Sequence, residues 1–265
     1  MIRAYERTWL IQHHAARSTE NKLAGFAVLR QMMLFLHGMY QLSSAKMEYV
    51  ISYFRPENKF PNRVFGGFAR YLNNSQACSL DLFKYLTVPT ASPEKDLSHE
   101  WLLRKSNSLD FWELEQFYKH HSGGLLLNIL RSGGPDPGDA SLEKDFERLG
   151  FLRRWRIYSL LYQDHLKAVF IVNQSDLMIN MSGLLNCIKV LVIDSAGLNL
   201  ELFSLVVTKI GSVYNLDKVT LLIYPAYSIE TDISDNNQYQ LWITDMRYSN
   251  QFMNYMQENF RMKYD

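Results

Sequence analysis

Lys22, Gly25 and Ala27 stand in a Lys-x-x-Gly-x-Ala spacing where a polar turn, residues 16–21, gives way to a long apolar run, residues 28–36. The start of a helix leaves backbone N–H groups without intrahelical partners and carries the positive end of the helix dipole, so such a turn suits a pyrophosphate. Gly25 would let phosphate oxygens approach the backbone closely, and Lys22 would add a point charge. His13, with His14 beside it, ends the apolar segment that begins at Trp9. An imidazole that titrates near neutrality can deprotonate an attacking ammonium. Glu57, just after the apolar segment Tyr49 to Phe54, is the alternative base, and Asn58 follows it. Each group also has a plainer reading: a helix start whose glycine allows close packing, a solvent-facing histidine, and a surface pair of Glu57 with Arg55 or Lys59.

The elements that must position these groups can be read from apolar spacing. Trp9 to His13 reads as a short strand and Tyr49 to Phe54 as a second. Between them a helix from about Leu23 to Tyr40 has apolar residues at Phe26, Leu29, Met33, Leu36 and Met39, close to helical spacing. Pro56 and Pro61 bracket a turn, and Asn62 is placed to cap a short helix through Phe68 and Tyr71. Leu80 to Val88 alternates as a strand does, and Pro89 to His99 is the best linker.

This strand–turn–helix–strand order resembles the cofactor-binding half of the GNAT acyltransferase superfamily. That family carries Gln/Arg-x-x-Gly-x-Gly/Ala at the start of the helix after its fourth strand, and Lys22-x-x-Gly25-x-Ala27 occupies the place. Its next strand and helix often read as an asparagine, then an aromatic and Gly-Phe; here Asn58 and then Asn62-Arg63-Val64-Phe65-Gly66-Gly67-Phe68 match. The resemblance covers about the first 90 residues and its motif is loose. It implies acyl-coenzyme A as co-substrate, with Asn58 on the cofactor arm and an amine as acceptor. The tyrosine that often serves this family as general acid would fall near Val64, which cannot donate a proton, so Tyr53 is the candidate replacement. Family members also have three strands before the one at Trp9, where this chain has eight residues; the chain is therefore expected to be part of a longer protein.

In the second half, Asp110 is expected to cap a helix from Phe111 to His121, and Gly133 to Gly138 is the clearest loop. Leu142 to Leu149 reads as a short helix. Trp155 to Tyr162 and Leu166 to Val172 read as a hairpin about Gln163-Asp164-His165. A strand at Cys187 to Ile193, a helix from Leu200 to Tyr214 and an apolar strand at Val219 to Tyr224 follow. Tyr239 to Thr244 and Phe252 to Phe260 are read as the last strand and helix. Strand–helix–strand order thus occurs twice, which implies an α/β fold with a mixed sheet. The layout resembles the tandem GNAT-like domains of Fem-like acyltransferases, with an incomplete unit at 1–92 and a fuller one at 93–265. The second copy's turn, Asp194 to Asn199, has no basic residue and reads as structural.

Composition sets outer limits. With 265 residues, 47% hydrophobic and 21% charged, the chain is globular and long enough for two modest domains. A net charge of +1 gives no field that argues for nucleic acid. Cys78 and Cys187 are too few and too far apart for a disulfide framework or a zinc site, so a reducing, cytoplasmic setting is the default. No uncharged apolar run reaches the ~18 residues of a membrane span. His120 and His121 are adjacent on a helix and point about 100° apart, so no metal is expected. No Gly-x-Ser-x-Gly elbow argues for a serine hydrolase. Arg153-Arg154-Trp155-Arg156, the one dense basic cluster, reads as a solvated helix-to-strand junction.

The leading expectation is an N-acyltransferase that moves an acyl group from acetyl- or acyl-CoA to a small-molecule or peptide amine. Lys22, Gly25 and Ala27 would bind pyrophosphate and Asn58 the cofactor arm, while His13 or Glu57 would take the proton. The alternative is a GNAT-like module that has lost catalysis and senses a ligand or binds a partner. The oligomeric state is left open, a homodimer included.

Overall fold

A computed structural model describes residues 1–11, 24–89, 96–131, 141–176, 183–211, 214, 218–226 and 237–260. The chain opens with β1 (Ile2–Tyr5) and β2 (Thr8–Ile11), then α1 (Ala24–Tyr40) and β3 (Tyr49–Phe54). A helical stretch follows: α2 (Lys59–Pro61), a π-helical segment Asn62–Gly66, and α3 (Gly67–Leu72). Next come β4 (Cys78–Pro89), β5 (Trp101–Lys105), α4 (Ser108–His121), α5 (Leu126–Arg131) and α6 (Ser141–Arg148). The remainder is β6 (Arg153–Tyr162), β7 (His165–Ser175), β8 (Ile188–Val192), α7 (Leu200–Gly211), β9 (Lys218–Tyr224), β10 (Gln238–Asp245) and α8 (Ser249–Phe260). The fold is mixed α/β, as the order of elements implies.

Two compact units divide the chain: Met1–Leu80 with Gly124–Ser132 and Leu241–Asp265, and Asp81–Gly123 with Gly133–Gln240. In the first unit the strand order is β1-β2-β3-β10. β1 runs antiparallel to β2. β2 and β3 are parallel, Leu10 opposite Ile51 and Ile11 opposite Ser52, so α1 is the crossover of a β–α–β unit. Leu29, Met33 and Leu36 of α1 are buried with Ile11, Val50, Phe54, Phe65, Phe68, Trp242 and Phe252. The i, i+4, i+7 spacing supplies that stripe. Asn62 is not an N-cap: it lies inside the helical stretch, at the end of α2, where its Nδ2 donates to the Pro56 carbonyl at 2.9 Å. Asn58 occupies the N-cap position instead, though its side chain makes no capping bond.

In the second unit the order is β4-β9-β8-β7-β6-β5. β8 and β9 are parallel, Ile188 opposite Leu221 and Leu191 opposite Tyr224, with α7 as crossover. Leu202, Phe203, Val206, Val207 and Ile210 of α7 pack on Phe170, Ile188, Val190, Leu221 and Ile223. The hairpin turn holds two residues, Gln163 and Asp164, at φ 47° and 65°, while His165 pairs with Tyr162. Positive φ at both positions matches the twist of the flanking strands. The N-cap of α4 is Asn107, not Asp110. Asp110 sits three residues later and returns a bond to the Asn107 N–H, completing a capping box. The basic run opens β6 just after the end of α6, a helix-to-strand junction: Arg153 covers the Phe146 ring and Arg156 pairs with Glu143. Among the described residues no helix is long and apolar enough to cross a membrane.

Candidate functional site

The parallel pair β2/β3 sets one edge where chemistry can be assembled. Both strands end there, at Ile11 and Phe54, and open sheets hold ligands at the carboxyl ends of parallel strands. Gly25 and Ala27 occupy the first turn of α1, which contains no acidic residue to repel an anion. Phe26 between them meets the Phe60 ring at 5.1 Å, edge to face. That contact brings the start of α1 beside the stretch that begins at Asn58. Gly25 and Ala27 therefore share a neighbourhood with Asn58 although more than thirty positions separate them. Asn58 is exposed, and its carbonyl accepts from the Asn62 N–H at 3.1 Å. Glu57 is exposed and lies 3.8 Å from Arg55. Tyr53 is half-buried in β3. Val64, where the resemblance implied an acid, is fully buried. His13, His14 and Lys22 lie outside the described residues.

The parallel pair β8/β9 sets the corresponding edge of the second unit, and its loop is built for structure. Asp194 pairs with Lys167 and accepts the Ala196 N–H at 2.9 Å, while Asn199 caps α7 through the Leu202 N–H. Lys167 holds the Asp194 carboxyl below the ordinary range. A negative charge so committed leaves this turn poorly suited to phosphate.

What sequence reasoning missed lies next to that edge. Asp81 of β4 is 1% exposed, and among the described residues its carboxylate is held by neutral hydroxyls. Its Oδ2 accepts from the Tyr118 hydroxyl and its Oδ1 from the Ser122 hydroxyl, both at 2.9 Å. Tyr224, the last residue of β9, supplies a further hydroxyl. Burial pushes the Asp81 carboxyl up to about 6, against the pull of the three hydroxyls toward the charged form. His121 stands edge-on to the Tyr224 ring at 5.7 Å and stacks on Phe117. The group can thus hold or release a proton in the physiological range. One signal for it was present: Tyr118 and Ser122 are four residues apart at the end of a helix and so share a face.

Among the described residues no three His, Cys, Asp or Glu side chains are grouped as metal ligands. Cys78 and Cys187 are buried free thiols, both pushed upward by burial.

No protein-family model matches the sequence, and no curated protein matches it. Solved structures do resemble the chain. A GCN5-related N-acetyltransferase from Sphaerobacter thermophilus aligns over 85% of this chain and 70% of its own, at 10% identity and a TM-score of 0.35. Another from Kribbella flavida aligns over 82% and 76%, at 8% identity and 0.34. A tandem GNAT protein from the clavulanic acid biosynthesis pathway aligns over 90% and 75%, at 11% identity and 0.31. Likeness of that degree carries no argument about function.

Proposed function

We propose that this protein binds acyl-coenzyme A at the start of α1 and transfers the acyl group to an amine. The observation that carries the reading is the β2–α1–β3 unit, in which two parallel strands end at one edge and the Phe26–Phe60 contact gathers Gly25, Ala27 and Asn58. An acid-free first turn with a glycine fits the pyrophosphate through backbone N–H groups, and Lys22 adds its charge. Asn58, exposed beside that turn, hydrogen-bonds the cofactor arm. The amine nitrogen attacks the thioester carbonyl, the C–S bond breaks, and the thiolate leaves with a proton. His13 or Glu57 removes the proton from the attacking amine, and Tyr53 protonates the leaving sulfur. The acceptor is a small molecule or a peptide amine, and the two β–α–β units make up a tandem GNAT-like arrangement in a cytoplasmic protein.

A second reading, a ligand-sensing module without turnover, is favoured by one observation. Val64, where the family often carries its acid, is sealed in the core and offers no proton.

Thermal unfolding with and without acetyl- and longer acyl-coenzyme A tests the binding. Ligand at a hundredfold excess over its dissociation constant adds ~2.7 kcal/mol of stability, and Gly25→Glu should abolish the shift. Release of free thiol in the presence of amines then separates the two readings. No shift with any acyl-coenzyme A removes the enzyme reading and leaves a module that senses another ligand or binds a partner.

A further inference from the structure

Charge is distributed unevenly along the helical stretch that follows β3. From Asn58 to Leu80 the sequence holds Lys59, Arg63 and Arg70 and no aspartate or glutamate. Glu57, just before it, faces Arg55 at 3.8 Å. α1 carries no acid at all, and α8 carries one, Glu258. Arg63 and Arg70 share a locality around Tyr255 of α8. The Tyr255 hydroxyl donates to the Arg63 carbonyl at 2.7 Å and lies 2.1 Å from where a Cβ of Gly67 would be, while Arg70 Nη1 lies 3.2 Å from the same position at Gly66. Burial pushes that hydroxyl up, and Arg70 and Arg63 both pull against it.

Both arginines are exposed, and among the described residues neither meets a carboxylate, Glu258 included. The Arg63 guanidinium lies over the Phe260 ring, 4.8 Å from its centroid, and its Nη2 donates to the Asn259 carbonyl at 3.4 Å. Stacking uses the face of the planar group and leaves its edge N–H groups for an oxyanion, the geometry in which arginine grips phosphate through two bonds. Arg70 Nη2 reaches the Asn62 carbonyl only at 3.5 Å, the long limit of such a bond. Phe260 in turn meets Phe26 at 5.4 Å, and Phe26 stands between Gly25 and Ala27. Two ring contacts therefore link the Arg63 guanidinium to the turn at the start of α1.

Coenzyme A carries a third phosphate, on the ribose of its adenosine, besides the pyrophosphate. We propose that Arg63, with Arg70 beside it, binds this 3′-phosphate. The contact rests on the acyl-coenzyme A reading of α1 and names the groups that hold the part of the ligand beyond the Gly25 turn. An acid-free surface around the two guanidinium groups favours a dianion there, and their exposure makes the attraction sensitive to salt.

Calorimetric titration of the full chain with coenzyme A and with 3′-dephospho-coenzyme A, both at one ionic strength, tests the contact. The parent should bind coenzyme A about tenfold or more tighter than the dephospho form, as expected for hydrogen bonds to a charged group. Arg63→Met, which keeps an apolar stem on Phe260, should remove most of that preference and leave the affinity for the dephospho form unchanged. Arg70→Met should reduce the preference in part. A parent that binds the two forms equally overturns the role of Arg63 and leaves the start of α1 standing as a cofactor site. A preference that survives intact in both variants overturns it as well. A parent that binds neither form overturns the contact together with the reading on which it rests.

Discussion

Asp81→Asn measures how much the buried carboxyl of the second unit costs. In the folded chain this group titrates at about 6, against an ordinary 3.8. Between those values the native state holds a proton that the unfolded chain has released, so stability falls as pH rises through the window. At 1.36 kcal/mol per pKa unit the fall amounts to ~3 kcal/mol, complete above pH 6 and absent below 3.8. A carboxamide does not titrate. It keeps one oxygen to accept from Tyr118 or Ser122, and the hydroxyls can turn to accept from its NH2. Whatever that rearrangement costs is independent of pH and moves the whole curve without tilting it. Urea unfolding of both proteins at half-unit steps from pH 4 to pH 8 is the assay, and the quantity read is the difference in stability at each pH. Between pH 4 and pH 7 the variant should gain about 2.4 kcal/mol on the parent, most of the ~3 kcal/mol total, with the change centred between 3.8 and 6. A difference that stays flat across the range would refute the account and mean that the three hydroxyls fully offset the burial.

Asp110 should behave in the opposite sense. Burial pushes its carboxyl up, but Arg104, the Asn107 N–H and Ser159 outweigh that and hold it below the ordinary range. Its contribution is present above the usual carboxylate value and lost as pH falls through the folded one. Arg104→Met should cost about 3 kcal/mol, the low end for breaking a buried pair, because the Arg104 side chain is 31% exposed; it should also raise the pH of acid unfolding. Asn107→Ala removes the acceptor for the Leu109 and Asp110 N–H groups and should cost ~1 kcal/mol in the same assay. Gly67→Ala would put a Cβ 2.1 Å from the Tyr255 hydroxyl, which is itself tied to the Arg63 carbonyl at 2.7 Å. It should cost about 1–3 kcal/mol. Adding Tyr255→Phe should recover part of that loss in a double-mutant cycle, and strict additivity would show that the hydroxyl is not what the methyl strikes.

Legibility in the sequence followed the range of the forces involved. α1 was readable because Phe26, Leu29, Met33 and Leu36 repeat at helical spacing and one face of them is buried. β3 and β9 were readable because a strand buried on one or both faces needs a local apolar run. β1 and β5, four and five residues long, carry too little pattern to stand out, and only pairing with Thr8–Ile11 and with β6 makes them strands. Capping failed by a few residues at Asn62 and Asp110 for the same reason: a polar residue near a helix start is equally suited to N-cap or N3, and backbone geometry decides. The polar clusters were the least legible. Asp81 occupies a position in an alternating strand where an exposed acid would look identical, and its partners Tyr118 and Ser122 lie 37 and 41 residues away. Trp155, Asn173 and Lys189 likewise become neighbours only once the register of β6, β7 and β8 is fixed. A one-residue slip in either pairing would send one of these side chains to the face that packs α7. Register is held by the apolar face, where Phe170, Ile188 and Val190 must meet Phe203 and Val206, so the core on one side of the sheet dictates which polar groups assemble on the other.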